Sequence, residues 1–77
     1  MIVNLVYSKL VVLVNHARNT VEKVEKYDNV MFVTISQEIM KEVVVFEDIN
    51  IYENEKLEII GEKEGERIIA KKIRVVK

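Results

Sequence analysis

Short runs of Val, Ile, Thr, Tyr and Phe recur along this chain from end to end, each broken off by Asn, Asp, Glu or Gly. That rhythm admits little except strands joined by turns. The runs cover residues 2–7, 9–14, 20–27, 30–36, 41–46, 56–62 and 67–76. Tyr27-Asp28-Asn29 predicts a tight turn, because Asp and Asn tolerate positive φ and hydrogen-bond their own backbone. Gly65, within Lys63-Glu64-Gly65-Glu66, predicts a second. These two turns make antiparallel hairpins of 20–27 with 30–36 and of 56–62 with 67–76. Residues 20–27 also place apolar side chains three apart, as on one helical face; the Asp28-Asn29 turn that follows favours the strand. Residues 47–55 are acidic with Ile49, Ile51 and Tyr52 among them, and periodicity leaves loop, short helical turn and edge strand open.

A chain of 77 residues has room for one core, so residues 1–77 form a single domain. Such a core exceeds conformational entropy by only roughly a few kcal/mol, and reinforcement usually comes from disulfides, metals or association. There is no cysteine, and the lone histidine, His16, cannot supply the ligand set of a structural zinc. A well-packed sheet and a partner remain. The apolar start carries Asn4, Ser8 and Lys9 and falls short of the roughly 20 apolar residues of a bilayer span. No basic segment precedes it and no small-residue cleavage site follows. The expectation is a cytoplasmic protein away from membranes. Lys and Glu dominate the charged residues and Gln37 is the single glutamine, a thermophile-like composition.

Catalytic chemistry finds little to work with. The serines are Ser8 and Ser36 only, and His16 has no partner at a spacing that implies a nucleophilic triad. Two glycines, Gly61 and Gly65, cannot build a phosphate-cradling loop, and no metal or cofactor motif occurs. The reading is non-catalytic, without cofactor. Net charge is −1, but charge is segregated: between residues 38 and 66 ten acids face three lysines, whereas Arg67, Lys71, Lys72, Arg74 and Lys77 close the chain with no acid among them.

From about Ala17 onward the order of these pieces resembles the OB-fold nucleic-acid-binding family of the anticodon-binding and single-strand-binding type. Residues 24–36, Val24-Glu25-Lys26-Tyr27-Asp28-Asn29-Val30-Met31-Phe32-Val33-Thr34-Ile35-Ser36, and then Glu42-Val43-Val44-Val45-Phe46 look like its second and third strands. Leu57-Glu58-Ile59-Ile60-Gly61 and Arg67-Ile68-Ile69-Ala70-Lys71-Lys72-Ile73 are similar to its fourth and fifth. The resemblance implies an all-β fold, a small five-stranded OB-type barrel, with residues 1–16 as an added strand, a lengthened first strand or an association surface. In that fold the first strand pairs with the second and fourth. An SH3-like small barrel is the alternative. Two places depart from the family pattern. Gln37-Glu38-Ile39-Met40 stands where members carry a glycine-containing turn, and Asn19 stands near the usual first-strand glycine.

Strand alternation puts Met31, Val33 and Ile35 on one face and Val30, Phe32, Thr34 and Ser36 on the other, wetter one. The resemblance implies that Phe32 stacks on a base there; the alternative is a core Phe32 reached through a bulge. Glu42 begins the third family strand, where relatives often hydrogen-bond a base edge through glutamine, and it is otherwise a solvated strand residue. Thr34 and Ser36 can donate to bases from the same face. Tyr27 and Tyr52 occupy turn or loop positions from which a ring can stack, and Arg18 can reach a phosphate. Arg67, Lys71, Lys72, Arg74 and Lys77 either track a phosphate backbone or balance the acidic middle through cross-strand pairs. The expected partner is single-stranded DNA or RNA. The other reading is a protein-interaction or homo-oligomeric module using the apolar N-terminal segment, Ile2, Val3, Leu5, Val6 and Tyr7.

Overall fold

The structure, a computed structural model, describes residues 10–13, 16–39 and 41–76. The predicted strand at 2–7 and the cation Lys77 lie outside them. The runs become β1 (Leu10–Leu13), β2 (Val21–Tyr27), β3 (Val30–Ile35), β4 (Glu42–Val45), β5 (Lys56–Glu64) and β6 (Arg67–Val76). They form one sheet in the order β1-β5-β6-β4-β3-β2. Every neighbouring pair is antiparallel except β4 and β6, which run parallel. The helical content of the described residues is a 3-10 turn, His16–Asn19, and none has a helix long and apolar enough to cross a membrane.

The all-β class is as expected, and β1 falls in the segment read as an added or lengthened first strand; the sheet is not closed into a barrel. Six strands are present among the described residues, and the sheet ends at β1 on one side and β2 on the other. The 3-10 turn is the physical reason. It lies between β1 and β2, and residues 10–13 pair with β5 while residues 21–27 pair with β3. Where the two ends approach, one isolated bridge joins Thr20 to Lys56.

Both predicted hairpins form. In β5–β6 the loop is Gly65-Glu66, between the paired Glu64 and Arg67. Gly65 has φ of 65°, and glycine first with an ordinary residue second is the II′ pattern that matches strand twist. In β2–β3 the loop is Asp28-Asn29, between Tyr27 and Val30. Neither residue takes the positive φ that their chemistry permits. The strands stay paired up to the turn, Tyr27 against Val30, and a cleft lies between this turn and the end of β4.

One face of the sheet is the core. Val21, Met31, Val33, Ile35, Val43, Val45, Leu57, Ile59 and Ile68 are all buried and packed together. Each such side chain contributes roughly 1.5–3 kcal/mol on burial. The segment after β4 is irregular, which settles the open assignment of 47–55 as a loop. It sends Ile51 into the core and packs Ile49 against it. Its end is tied to β2 by Val21 N–H donating to Glu55 O (2.8 Å) and Asn54 N–H to Val21 O (2.8 Å).

Asn19 and Gln37 meet in space. Asn19 is fully buried and its Nδ2 donates to Leu13 O (3.0 Å) and Leu57 O (2.9 Å). Gln37 Nε2 in turn donates to Asn19 Oδ1 (3.0 Å). A polar clasp therefore ties the end of β1, the start of β5 and the β3–β4 connection.

Candidate nucleic-acid interface

Period-two alternation in β3 sends Met31, Val33 and Ile35 into the core and turns Phe32 and Thr34 outward, with burial alternating along the strand. No bulge interrupts β3, so Phe32 is not a core residue. Cross-strand partners share a face, which builds the outer surface row by row. One row runs Glu25, Phe32, Val44, Ile69; the next runs Lys23, Thr34, Glu42, Arg67.

Phe32 is half-buried on this face because two neighbours lean on it. Tyr27 meets it edge to face, with centroids 5.6 Å apart and planes at 73°. The Arg67 guanidinium carbon lies 5.9 Å from the ring centroid, within cation–π range. Arg67 also holds Glu42 at 2.8 Å. Tyr27, Phe32, Thr34, Glu42 and Arg67 thus form one contiguous group on the outer face. The Thr34 hydroxyl makes no hydrogen bond among the described residues.

Other candidates are placed elsewhere. Lys72 and Arg74 point to the same outer face but lie about 10 and 17 Å beyond Ile69 along β6. Arg74 grips Glu58 with Nε and Nη2 at 3.1 and 2.6 Å, and Lys71 pairs with Glu62 at 3.7 Å. Three of the last strand's cations therefore sit in cross-strand ion pairs, and Lys72 has none among the described residues. Such exposed pairs contribute about 0–1 kcal/mol each. Ser36 Oγ donates to Ala17 O (3.2 Å) and accepts from Thr20 N–H (3.3 Å), so it is occupied in the turn before β2. Tyr52 lies in the turn tied to Val21, about 20 Å of strand away from Tyr27. Arg18 is exposed in the 3-10 turn.

Phe46 was not singled out by sequence reasoning. It follows Val45 at the end of β4, is 62% exposed, and with Tyr27 lines a cleft of about 330 Å³. The signal was an aromatic in the outward register of a valine strand, followed by two acids. No group of three or more His, Cys, Asp or Glu among the described residues is placed to hold a metal ion. Comparison with protein-family models, with curated proteins and with solved structures finds no match for this chain.

Proposed function

We propose that the chain is a non-catalytic OB-type domain that binds single-stranded nucleic acid in a cytoplasmic setting. The observation that carries this reading is the outward Phe32 at the centre of the β2–β3–β4 face, buttressed by Tyr27 and Arg67. An aromatic ring on an open strand face is a platform for any base, because every base has a π-face. Strand order supports the OB assignment over an SH3-like one. If β1 and β2 are the two halves of one interrupted first strand, that strand pairs with both the second family strand, β3, and the fourth, β5. The Thr20–Lys56 bridge is where such a sheet approaches closure, and OB barrels are partly open, with their second and third strands forming the binding face.

In this reading Phe32 and Tyr27 stack, Thr34 donates to a base edge, and Glu42 accepts from an exocyclic amine. Lys72 meets the phosphates directly, and Arg67 and Arg74 join it only where their pairs with Glu42 and Glu58 open. Fluorescence anisotropy with a labelled mixed-sequence oligonucleotide at low salt tests it. Stacking contributes about 1–3 kcal/mol per base, so Phe32→Ala weakens binding by roughly 5- to 150-fold. Absence of binding at about 100 µM, or indifference to Phe32→Ala, removes the proposal.

A second reading rests on a different observation. Leu10 and Val12 on the outward side of β1 are 54% and 55% exposed and Ile60, paired with Val12, is 38% exposed. Among the described residues no strand pairs with the other side of β1, and an apolar edge invites association. Sedimentation of the pure protein is expected to show concentration-dependent oligomers that Val12→Lys abolishes. A monomer at all concentrations sinks the association reading alone.

A further inference from the structure

The cleft between the β2–β3 turn and the end of β4 combines two exposed aromatic rings with unpaired negative charge. Tyr27 and Phe46 are 55% and 62% exposed and both line it. Asp28, Glu47 and Asp48 line it too, against a single cation, Lys26. None of these three carboxylates makes an ion pair or side-chain hydrogen bond among the described residues. This differs from the outer face next to it, where Glu42, Glu58 and Glu62 all have arginine or lysine partners.

Three unneutralised carboxylates repel a phosphate chain and attract a cation. Exposed Phe and Tyr rings add attraction for a cation lying over their faces, and arginine is the side chain most often found there because its planar guanidinium is weakly hydrated. A cleft of about 330 Å³ admits one long side chain and no folded partner. Asn29, at its rim, offers an amide oxygen that a guanidinium N–H can reach as well as the carboxylates. We propose that this cleft receives an arginine side chain from a basic segment of a partner polypeptide. The site goes beyond the nucleic-acid reading. Of the residues assigned to nucleic acid it shares only Tyr27, and its chemistry selects the opposite charge.

Isotope-labelled full-length protein titrated with the peptide acetyl-Gly-Arg-Gly-Arg-Gly-amide tests the proposal through amide chemical shifts. The expected result is shifts centred on residues 27–30 and 46–48 that saturate in the millimolar range or below, about three- to fivefold weaker with citrulline replacing arginine. Phe46→Ala, and separately the pair Glu47→Gln with Asp48→Asn, weaken binding by a similar factor, while Lys72→Ala, far from the cleft on β6, leaves it unchanged. All of these side chains are exposed, so folding of the variants is not at issue, and their unperturbed core amides verify it. Absence of shifts up to about 5 mM, equal binding of the citrulline peptide, or indifference to the cleft substitutions overturns the proposal. Displacement of the peptide by an oligonucleotide of about ten nucleotides from these same amides overturns it as well, by assigning the cleft to nucleic acid. Failure of oligonucleotide binding elsewhere leaves the peptide result standing, so the two readings fail separately.

Discussion

Asn19 has no access to solvent, yet each of its side-chain polar atoms has a partner, two carbonyls on the amide nitrogen and Gln37 on the oxygen. Asn19→Ala removes all three hydrogen bonds at once and leaves Leu57 O in the interior without its donor. Each buried polar group left unsatisfied costs about 1–3 kcal/mol, so the expected loss is roughly 2–4 kcal/mol, read as a fall in melting temperature of about 10–20 °C by circular dichroism. Gln37→Ala costs less, because only the Asn19 oxygen loses a partner. Combined, the two substitutions cost less than the sum of the singles, as members of one network do. Gly61 is constrained in another way. It faces the β6 register shift, and a Cβ there comes within 2.4 Å of Ile69 O and 2.8 Å of Ile68 Cγ2. Backbone cannot yield as a side-chain tip can, so Gly61→Ala is expected to cost about 1–3 kcal/mol in urea denaturation.

At the scale of elements, the hairpins were legible because their information is local. Gly65 sits in a turn that needs positive φ, with open space around its missing Cβ. Gly65→Ala therefore carries backbone strain alone, about 1–2 kcal/mol, and an intact β5–β6 ladder in amide exchange measurements checks that no packing is lost. Strands joined by long connections were less legible. Nothing in Glu42–Val45 announces that it lies parallel to Arg67–Ile69, and the choice of β5 as partner for Leu10–Leu13 depends on a buried asparagine contributing hydrogen bonds from a 3-10 turn. The same limit applied to the side chains of the outer face. Phe32 was found because alternation along one strand fixes its side; the Arg67–Glu42 and Arg74–Glu58 pairs depend on register between strands. The cleft escaped notice because the residues after Phe46 follow no period at all.

For the molecule as a whole, a net charge of −1 goes with ion pairs over the outer face and, among the described residues, acids without partners at the cleft, and on the proposed reading this arrangement sets how nucleic acid would be held. Affinity from phosphates grows with the number of cations that release counterions, with a salt slope of about −0.7 per contact for single strands. If Arg67, Lys71, Lys72 and Arg74 all met phosphates the slope would be near −3. But three of them already hold carboxylates on this face, and an oligonucleotide must break those pairs or leave them in place. A face held chiefly by stacking, with Lys72 as the last-strand cation without an ion pair among the described residues, gives a slope nearer −1. Anisotropy titrations between about 20 and 200 mM salt separate these values. Glu42→Gln, Glu58→Gln and Glu62→Gln together release the paired cations, all of them partly exposed, so the triple variant is expected to bind several-fold tighter at low salt with a slope moved toward −3. A wild-type slope already at −3, unmoved by the triple substitution, would mean that the ion pairs do not restrain these side chains and that charge dominates binding over the ring of Phe32.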